Sequence, residues 1–313
     1  MEYITLSNSD LRVSRLCVGG CPMGGHGWGI VQEQELIDAV HAALDRGINF
    51  FDNADTYGLG QSEKTLGKAL GSRRSEAVIA TKFGVRVTDR GTIYDNNPQW
   101  IRTACENSLR RLGTDYIDLY QMHYRDGHTD IGTVLETLED LRQEGKIRHF
   151  GVSNLSQADY SEMEHYRGRF VSLQKEYSLA CRDHEGDLQL YAQELGLTPL
   201  TWGSLGQGIL TGKYDHTATF GSNDRRSREI YVNFHGEKLL KNLQIVEHMK
   251  PIAAAHGKSV SAVAVRFILD HLEGSVVICG IKRPEQLLGN AQALGWHLTP
   301  EELALLDRVS AEA

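Results

Sequence analysis

Short runs of apolar residues alternate with longer amphipathic stretches along almost the whole chain. The short runs are rich in β-branched and aromatic residues, which is typical of β-strands. Strands that alternate with helical patterns are in turn typical of βα units around a parallel sheet. Eight runs are predicted as strands: Arg15–Gly19, Asn49–Asn53, Val78–Lys82, Ile117–His123, His149–Ser153, Ser172–Glu176, Thr198–Trp202 and Val276–Cys279.

The longer stretches between these runs show helical periodicity. In Glu33–Arg46 apolar residues recur at helical spacing, and Gly47 follows where a helix end favours a left-handed residue. Eight βα units favour an α/β fold of the (β/α)8 TIM-barrel type over an open doubly wound sheet. The other predicted helices are Trp100–Leu112, Gly132–Glu144, Gln157–Tyr166, Gly186–Leu195, Val260–His271 and Pro300–Val309.

Two segments lie outside this alternation. The start of the chain, Tyr3–Leu6 and Leu11–Ser14 around a polar turn, predicts a β-hairpin that caps the bottom of the barrel. The segment 214–236 is polar and has no clear periodicity, so it predicts a long irregular insertion at a βα position. Insertions of this kind are more often functional or mobile than purely structural.

Length, charge and apolar content narrow the class of protein. The 313 residues, 41% of them apolar, suffice for a large core, so residues 1–313 are predicted to be a single domain. The net charge of −8 argues against a nucleic-acid surface, which needs clustered Lys and Arg. Since no apolar run approaches about 18 residues and the start lacks a signal pattern, we expect neither membrane insertion nor secretion.

Cysteine usage indicates a reducing compartment. The five cysteines are widely spaced and include no Cys-x-x-Cys pair. Reduced thiols are the simplest interpretation, so we expect a cytoplasmic protein with no metal site.

Three predicted strands carry a titratable residue at or next to their carboxyl end. Asp52, Lys82 and His123 stand at the ends of consecutive strands, and Tyr57 follows Asp52 by five residues. Because barrel enzymes build their sites at the carboxyl ends of strands, these four side chains should converge. A neighbouring ammonium group lowers the pKa of tyrosine, which is otherwise about 10, and an imidazole can orient a substrate oxygen. The set therefore suits proton donation to a carbonyl oxygen while hydride arrives at carbon.

Two glycine-rich segments, 19–29 and 58–60, superficially resemble a dinucleotide fingerprint. Neither places Gly-x-Gly-x-x-Gly between a strand and a helix with an acid about twenty residues further on. A Rossmann domain is therefore disfavoured. We interpret these segments as loops at the barrel mouth, where His26 and Trp28 are available to line a substrate pocket.

Over essentially its whole length the chain resembles the aldo-keto reductase superfamily. Asp52, Tyr57, Lys82 and His123 match the catalytic tetrad of that family one for one. The later motifs follow in the order of the family and are most similar to those of bacterial sugar- and polyol-handling members. These motifs are Gly151–Asn154, Gln174–Ser178, Trp202–Lys213 and Gly280–Asn290.

The resemblance implies NADPH (NADP+) as cofactor, with NADH possible. Trp202 would stack on the nicotinamide ring, and the loop 203–208 would cross the pyrophosphate. Lys282 and Arg283 would contact the adenosine 2′-phosphate, which favours NADPH over NADH. The implied cofactor residues are Gly20, Cys21, Asp52, the carboxamide clamp Ser153, Asn154 and Gln174, then Trp202, Gly203, Ser204, Leu205, Gln207, Gly208, Lys213, Gly280, Lys282, Arg283, Gln286 and Asn290.

The chain also departs from the family pattern. Gly203 and Ser204 precede Leu205 where the family often has Ser-Pro-Leu, and Lys175 stands where Asn is common. Gly289 replaces the Glu that often precedes the adenine-binding Asn, which bears on cofactor preference. Only four residues follow the last predicted helix, so the expected pocket is open, or is completed by the insertion 214–236 or by a neighbouring subunit.

Together these features predict an NADPH-dependent aldo-keto reductase that reduces an aldehyde or ketone, including sugar-derived carbonyls, with Tyr57 as general acid. Two alternatives stay open: an NAD(P)+-dependent sugar or polyol dehydrogenase, and a nucleotide-binding regulatory subunit of the channel β-subunit type, against which the presence of His123 argues. The expected partner is a small carbonyl compound, and a homo-oligomer is possible. The predicted substrate pocket contains His26, Trp28, Tyr57, His123 and Tyr124.

Overall fold

The computed structural model describes residues 1–25 and 27–311. His26, which was predicted to line the substrate pocket, lies outside the described residues. The strands of the described part are β1 (Tyr3–Thr5), β2 (Arg12–Ser14), β3 (Leu16–Gly19), β4 (Phe50–Asp52), β5 (Val78–Phe83), β6 (Val85–Thr88), β7 (Gly91–Tyr94), β8 (Ile117–Met122), β9 (Ile147–Ser153), β10 (Ser172–Glu176), β11 (Thr198–Trp202) and β12 (Val276–Gly280). Its α-helices are α1 (Glu33–Leu44), α2 (Gln61–Leu70), α3 (Pro98–Leu112), α4 (Ile131–Gln143), α5 (Tyr160–Glu164), α6 (Glu185–Leu195), α7 (Gly236–His256), α8 (Val260–His271), α9 (Pro284–Ala291) and α10 (Pro300–Ala311).

Eight of these strands close into a parallel barrel. Around the barrel the order is β3, β4, β5, β8, β9, β10, β11 and β12, and β12 pairs with β3 to complete the ring. Helices follow the strands on the outside, as a right-handed βα repeat requires. The predicted (β/α)8 barrel is confirmed, and all eight predicted strands are present.

The hairpin formed by β1 and β2 closes the lower end of the barrel, as predicted. Tyr3 pairs with Ser14 and Thr5 with Arg12. The hairpin contributes Leu6, Leu11 and Val13 to a buried cluster inside the barrel. This plug covers the amino ends of the strands, so the opposite end is the one open to ligands.

Two apolar layers hold the barrel together. The inner layer contains side chains that point to the barrel axis, such as Phe50, Leu119 and Leu200. The outer, larger layer fills the space between the strands and the surrounding helices. Burial of both faces explains why the strand sequences are near-continuous apolar runs and do not alternate strictly.

The main differences from the predicted elements lie at element ends and in long connections. His123 follows β8 and is not part of it, and the predicted helix Gln157–Tyr166 is a 3-10 turn followed by the short helix α5. The hairpin β6–β7 and the helices α2, α7 and α9 had no prediction. Short polar hairpins and helices with a weak apolar stripe give little periodic signal, because neighbouring elements and not the segment itself decide their burial.

The segment 214–236 was predicted to be irregular, and it contains only two 3-10 turns, Arg225–Ser227 and Val232–Phe234. It is nevertheless packed around the guanidinium of Arg226. This group lies 4.3 Å from the ring centroid of Phe220 and forms an ion pair with Asp224. Cation–π contacts and an ion pair thus fix the insertion at the barrel mouth.

In the described part of the chain no single helix is long and apolar enough to cross a membrane. The helices α7 and α8 reach the required length and composition only as a pair, and that pair is bent by 95°.

Candidate active site

The carboxyl edge of the barrel brings the four predicted catalytic residues together. Asp52 is the last residue of β4, Lys82 is the next-to-last residue of β5, and His123 directly follows β8. In the register of the sheet, Asp52 pairs with Ala80, and Lys82 pairs with Gln121. Tyr57 reaches the same edge from the turn after β4, where its amide donates to the carbonyl of residue 54.

Lys82 is the centre of this cluster. Its side chain is 1% exposed, and Nζ donates to Asp52 Oδ2 at 2.7 Å and to the carbonyl oxygen of Asn53 at 2.7 Å. Nζ also lies 3.5 Å from Tyr57 Oη and 5.1 Å from the centroid of that ring. A buried ammonium group needs an opposite charge and hydrogen-bond acceptors to offset the loss of water. Asp52 and the carbonyl of Asn53 supply them and hold Nζ next to the tyrosine oxygen.

The other carboxylate oxygen of Asp52 is held by two amides. Gln174 Nε2 donates to Asp52 Oδ1 at 2.8 Å, and Gln121 Nε2 donates to the same atom at 3.2 Å. The prediction placed Gln174 in a carboxamide clamp and did not include Gln121. A sequence signal for Gln121 did exist, because it lies two residues before His123 in the predicted strand Ile117–His123, and residues two apart in a strand share a face.

His123 is a neutral imidazole in this environment. Burial, and secondarily the positive charge of Lys82, hold its pKa well below the ordinary 6.5. Its ring meets that of Tyr57 edge-on, with centroids 6.2 Å apart, and stacks on Tyr124 at 4.8 Å. Tyr124 stacks in turn on Tyr94 of β7, so the unpredicted hairpin supports the histidine through the aromatic pair.

Tyr57 is protonated in the structure over the neutral pH range. Its side chain faces the cleft on one side and protein on the others, and this loss of solvent raises its pKa well above 10. Cys21 and Asp52 act in the same direction. The predicted lowering of the pKa by Lys82 is therefore outweighed, because desolvation disfavours the phenolate more than the ammonium group favours it.

A cleft of about 1630 Å³ opens above these residues. Apart from His26, the predicted substrate-pocket residues Trp28, Tyr57, His123 and Tyr124 all line it. Every predicted cofactor residue lines it as well, except Ser153. Ser153 Oγ is buried and has no hydrogen-bond partner within the protein.

At the inner end of the cleft, an amide and an indole are fixed beside His123. Asn154, which has a left-handed φ of 56°, donates from Nδ2 to the carbonyl oxygen of His123 at 3.0 Å. Trp202 Nε1 donates to Asn154 Oδ1 at 3.3 Å. Hydrogen bonding thus fixes a flat aromatic surface and an amide side chain in the wall of the cleft next to His123.

A glycine-rich loop crosses the middle of the cleft after β11. Gln207 and Gly208 have positive φ values of 54° and 106°. The left-handed region is uncommon for residues with a Cβ atom, whereas glycine adopts it without steric conflict. Gln207 Nε2 donates to Glu176 Oε1 at 3.1 Å, and Gln207 Oε1 accepts from Asn233 of the insertion. The loop is therefore tied to β10 on one side and to the segment 214–236 on the other.

The outer end of the cleft is positively charged, although the protein is acidic overall. Lys213, Arg226, Lys282 and Arg283 all line this end. Burial lowers the pKa of Lys282, and the positive charge of Arg226 lowers it further. The ammonium group of Lys282 donates to the carbonyl oxygen of Trp28. Crowded cations of this kind favour a phosphorylated ligand.

The residues present fit a dinucleotide. The cleft has polar groups and an indole at the reacting end, a glycine-rich loop in the middle, and cations at the far end. The buried Ser153 Oγ in particular lacks a partner that a carboxamide could supply. Sequence reasoning did not single out Gln121, Tyr94 or Ser261, which also line or support the cleft, and it placed Glu176 in a family motif without assigning it a contact.

Comparison with known proteins defines the family. The sequence model of the aldo/keto reductase family matches residues 15–311. The chain therefore belongs to the aldo-keto reductase family.

The chain is similar to reductases from two bacteria. Aldo-keto reductase YhdN of Bacillus subtilis (strain 168) is 35% identical over 307 residues, which cover 96% of this chain and 91% of the relative. The NADH-specific methylglyoxal reductase of Escherichia coli (strain K12) is 31% identical over 329 residues, which cover 100% of this chain and 99% of the relative.

Solved structures of family members have the same architecture. The glycerol dehydrogenase AKR11B4 from Gluconobacter oxydans superposes with a TM-score of 0.88 at 35% identity, covering 99% of this chain and 95% of that chain. An aldo-keto reductase from Klebsiella pneumoniae in complex with NADPH superposes with a TM-score of 0.76 at 28% identity, covering 99% and 96%.

Proposed function

We propose that this aldo-keto reductase reduces an aldehyde or ketone with NADPH, and that Tyr57 is the general acid. We also propose that residues 1–313 form one barrel domain. The observation that carries the proposal is the buried contact of Lys82 Nζ with Asp52, 2.7 Å away, and with Tyr57 Oη, 3.5 Å away. This arrangement opens directly into the cleft beside a neutral His123.

The substrate carbonyl oxygen would lie between Tyr57 and His123. A neutral imidazole can donate one hydrogen bond to that oxygen without competing for the proton. When bound, the nicotinamide cofactor supplies the hydride that converts the carbonyl carbon to an alcohol carbon. Tyr57 donates its proton to the oxygen, Lys82 stabilises the phenolate that remains, and Asp52 holds Lys82 in place.

NADPH is the cofactor that the charge distribution favours. Lys282 and Arg283 at the outer end would contact the 2′-phosphate with charge-assisted hydrogen bonds. Trp202 would stack on the nicotinamide, while Ser153 and Asn154 would bind its carboxamide. Since one relative is an NADH-specific methylglyoxal reductase, NADH must be compared directly with NADPH in any assay.

The substrate is proposed to be a small carbonyl compound bound against aromatic surfaces. Trp28, Tyr94 and Tyr124 line the cleft around the proposed reaction centre, and His123 supplies a polar contact. Flat apolar walls with one or two polar groups accommodate both aromatic aldehydes and short sugar-derived carbonyls.

A second candidate function is the reverse reaction, oxidation of a polyol with NADP+ or NAD+. The similarity to a glycerol dehydrogenase favours it. The raised pKa of Tyr57 argues for reduction at neutral pH, because a protonated tyrosine is the form that donates. Oxidation would need the phenolate as base, so its rate should rise with pH while reduction is already fast at pH 7.

The decisive experiment replaces Tyr57 by Phe. With a nitrobenzaldehyde as substrate, kcat should fall by the ~10²–10⁴-fold typical of general acid catalysis, while the Kd of NADPH stays the same. Tyr231→Phe is a matched control, because Tyr231 also lines the cleft but lies outside the proposed tetrad. Unchanged turnover in the Tyr57 variant would overturn the assignment, and no NADPH turnover by the wild-type protein with any carbonyl compound would favour a nucleotide-binding regulatory role.

A further inference from the structure

The helices α8 and α9 begin side by side at the outer end of the cleft. Gln286, Gly289 and Asn290 of α9 line this end, and so does Ser261 from the first turn of α8. Ser261 is 8% exposed and lines the cleft together with Asn290. If the proposed function holds, this is the end that receives the purine of the cofactor.

Three oxygen atoms form a hydrogen-bond chain there, and its direction can be deduced. Ser259 Oγ donates to the carbonyl oxygen of Gly289 at 2.9 Å, which uses its only hydrogen. The same oxygen accepts from the amide of Ala262 at 3.1 Å as the cap of α8. Since Ser261 Oγ lies 3.1 Å from Ser259 Oγ, the hydrogen between them must come from Ser261.

This direction decides what Ser261 offers to a ligand. Its hydrogen is directed at Ser259, so only lone pairs of its oxygen remain for the cleft. Ser261 is therefore a fixed acceptor. Two neighbouring contacts that do not depend on the ligand hold it in this state, because Gly289 and Ala262 orient Ser259.

Gly289 leaves the space beside this acceptor open. A Cβ atom built on Gly289 would lie 3.6 Å from Ser261 Oγ and 3.9 Å from Ser259 Oγ. A side chain at position 289 would thus occupy the space in front of Ser261. Its absence leaves the serine oxygen as the hydrogen-bonding group at this point of the wall.

We propose that Ser261 binds the purine of the cofactor by accepting a hydrogen bond from the 6-amino group of adenine. The serine thereby selects adenine dinucleotides over analogues that carry an oxygen at that position. An oxo group would place an acceptor against an acceptor and leave both unpaired in a partly dehydrated site.

Binding measurements with two probes test this assignment. The probes are NADPH and its hypoxanthine analogue, in which oxygen replaces the 6-amino group, and binding is followed by quenching of protein fluorescence. The wild-type protein should bind NADPH about 10-fold more tightly than the analogue, as expected for one hydrogen bond in a buried site. Ser261→Ala should weaken NADPH binding about 5- to 10-fold, whereas the Kd of the analogue should stay the same or fall, because the opposing serine oxygen is removed.

A second variant restores the acceptor by another route. In the Ser261→Ala background, Gly289→Glu places a carboxylate in the open space, and the preference for NADPH should return. Gly186→Glu is the matched control for the added charge, because it is a helical glycine of α6 with open space around it. That control should leave the preference lost.

The outcomes separate this inference from the proposed function. Equal losses of affinity for both probes in Ser261→Ala, or no loss for either, would overturn the role of Ser261 while NADPH binding itself stands. Failure of the wild-type protein to bind either probe would overturn the proposed NADPH-dependent function, and the role of Ser261 with it.

Discussion

Lys82 is the residue at which stability and the proposed catalysis can be separated. Replacing it by Met keeps the apolar stem and removes the ammonium group that lies 2.7 Å from Asp52 Oδ2. Asp52 is 3% exposed, and the hydrogen bonds that its other oxygen accepts from two glutamine amides do not neutralise its charge. Breaking a buried pair by removing one partner costs about 3–5 kcal/mol, so the free energy of unfolding should fall by that amount.

The double variant Lys82→Met, Asp52→Asn should recover most of this stability. A neutral amide at position 52 leaves no buried charge unpaired, and replacement of a complete buried pair by neutral groups is often close to neutral. Activity should not recover, because no group remains to stabilise the phenolate of Tyr57. We expect kcat to stay reduced by roughly 10²–10⁴-fold in both variants.

Urea unfolding at pH 7 and pre-steady-state NADPH oxidation measure the two effects independently. NADPH binding by fluorescence serves as the control for an intact cleft. Two results would refute the reasoning: a double variant that regains wild-type kcat, which would make Lys82 purely structural, or a single variant as stable as the wild type, which would mean that the buried charge of Asp52 is compensated without Lys82.

Three further predictions concern pH and cofactor choice. Burial raises the pKa of Asp55 from 3.8 to about 8, so unfolding releases a proton at any pH between these two values. The free energy of unfolding should therefore fall by up to ~1.4 kcal/mol per pH unit as the pH rises through that range. Asp55→Asn should abolish this slope in urea titrations. Because the pKa of His123 lies well below 6.5, kcat/KM for reduction should stay flat from about pH 7.5 to 6, and a decline centred at 6.5 would contradict a neutral imidazole. Lys282→Ala should weaken NADPH binding about 10- to 100-fold with little effect on NADH, and equal losses for both would place the 2′-phosphate elsewhere.

The barrel strands were predictable from the sequence because their signal is local. Each is a short apolar run between turn residues, and Ser172–Glu176 and Thr198–Trp202 coincide with the predicted ranges. The helix α8 likewise coincides with its prediction. By contrast, the hairpin β6–β7 is mostly exposed and depends on packing against Tyr124, a contact that no local pattern announces.

The convergence of the site could also be predicted, but not its hydrogen bonding. Barrel topology places Asp52, Lys82 and His123 at one edge, and their order in the sequence was sufficient to infer this. The two glutamine amides that hold Asp52 come from β8 and β10, which are 69 and 122 residues away in sequence. Which amide reaches the carboxylate depends on strand register, and register follows from the closure of the whole barrel.

The sequence by itself determined the eight barrel strands, the glycine-rich loop after β11 and the proton-handling set at the strand ends. Only the tertiary structure decided that Tyr57 holds its proton, that His123 is neutral, and that Ser261 faces the cleft as an acceptor. The physical reason is that a pKa depends on how much water the folded chain excludes, and the direction of a hydrogen bond on which distant groups it brings together. Local periodicity encodes neither quantity.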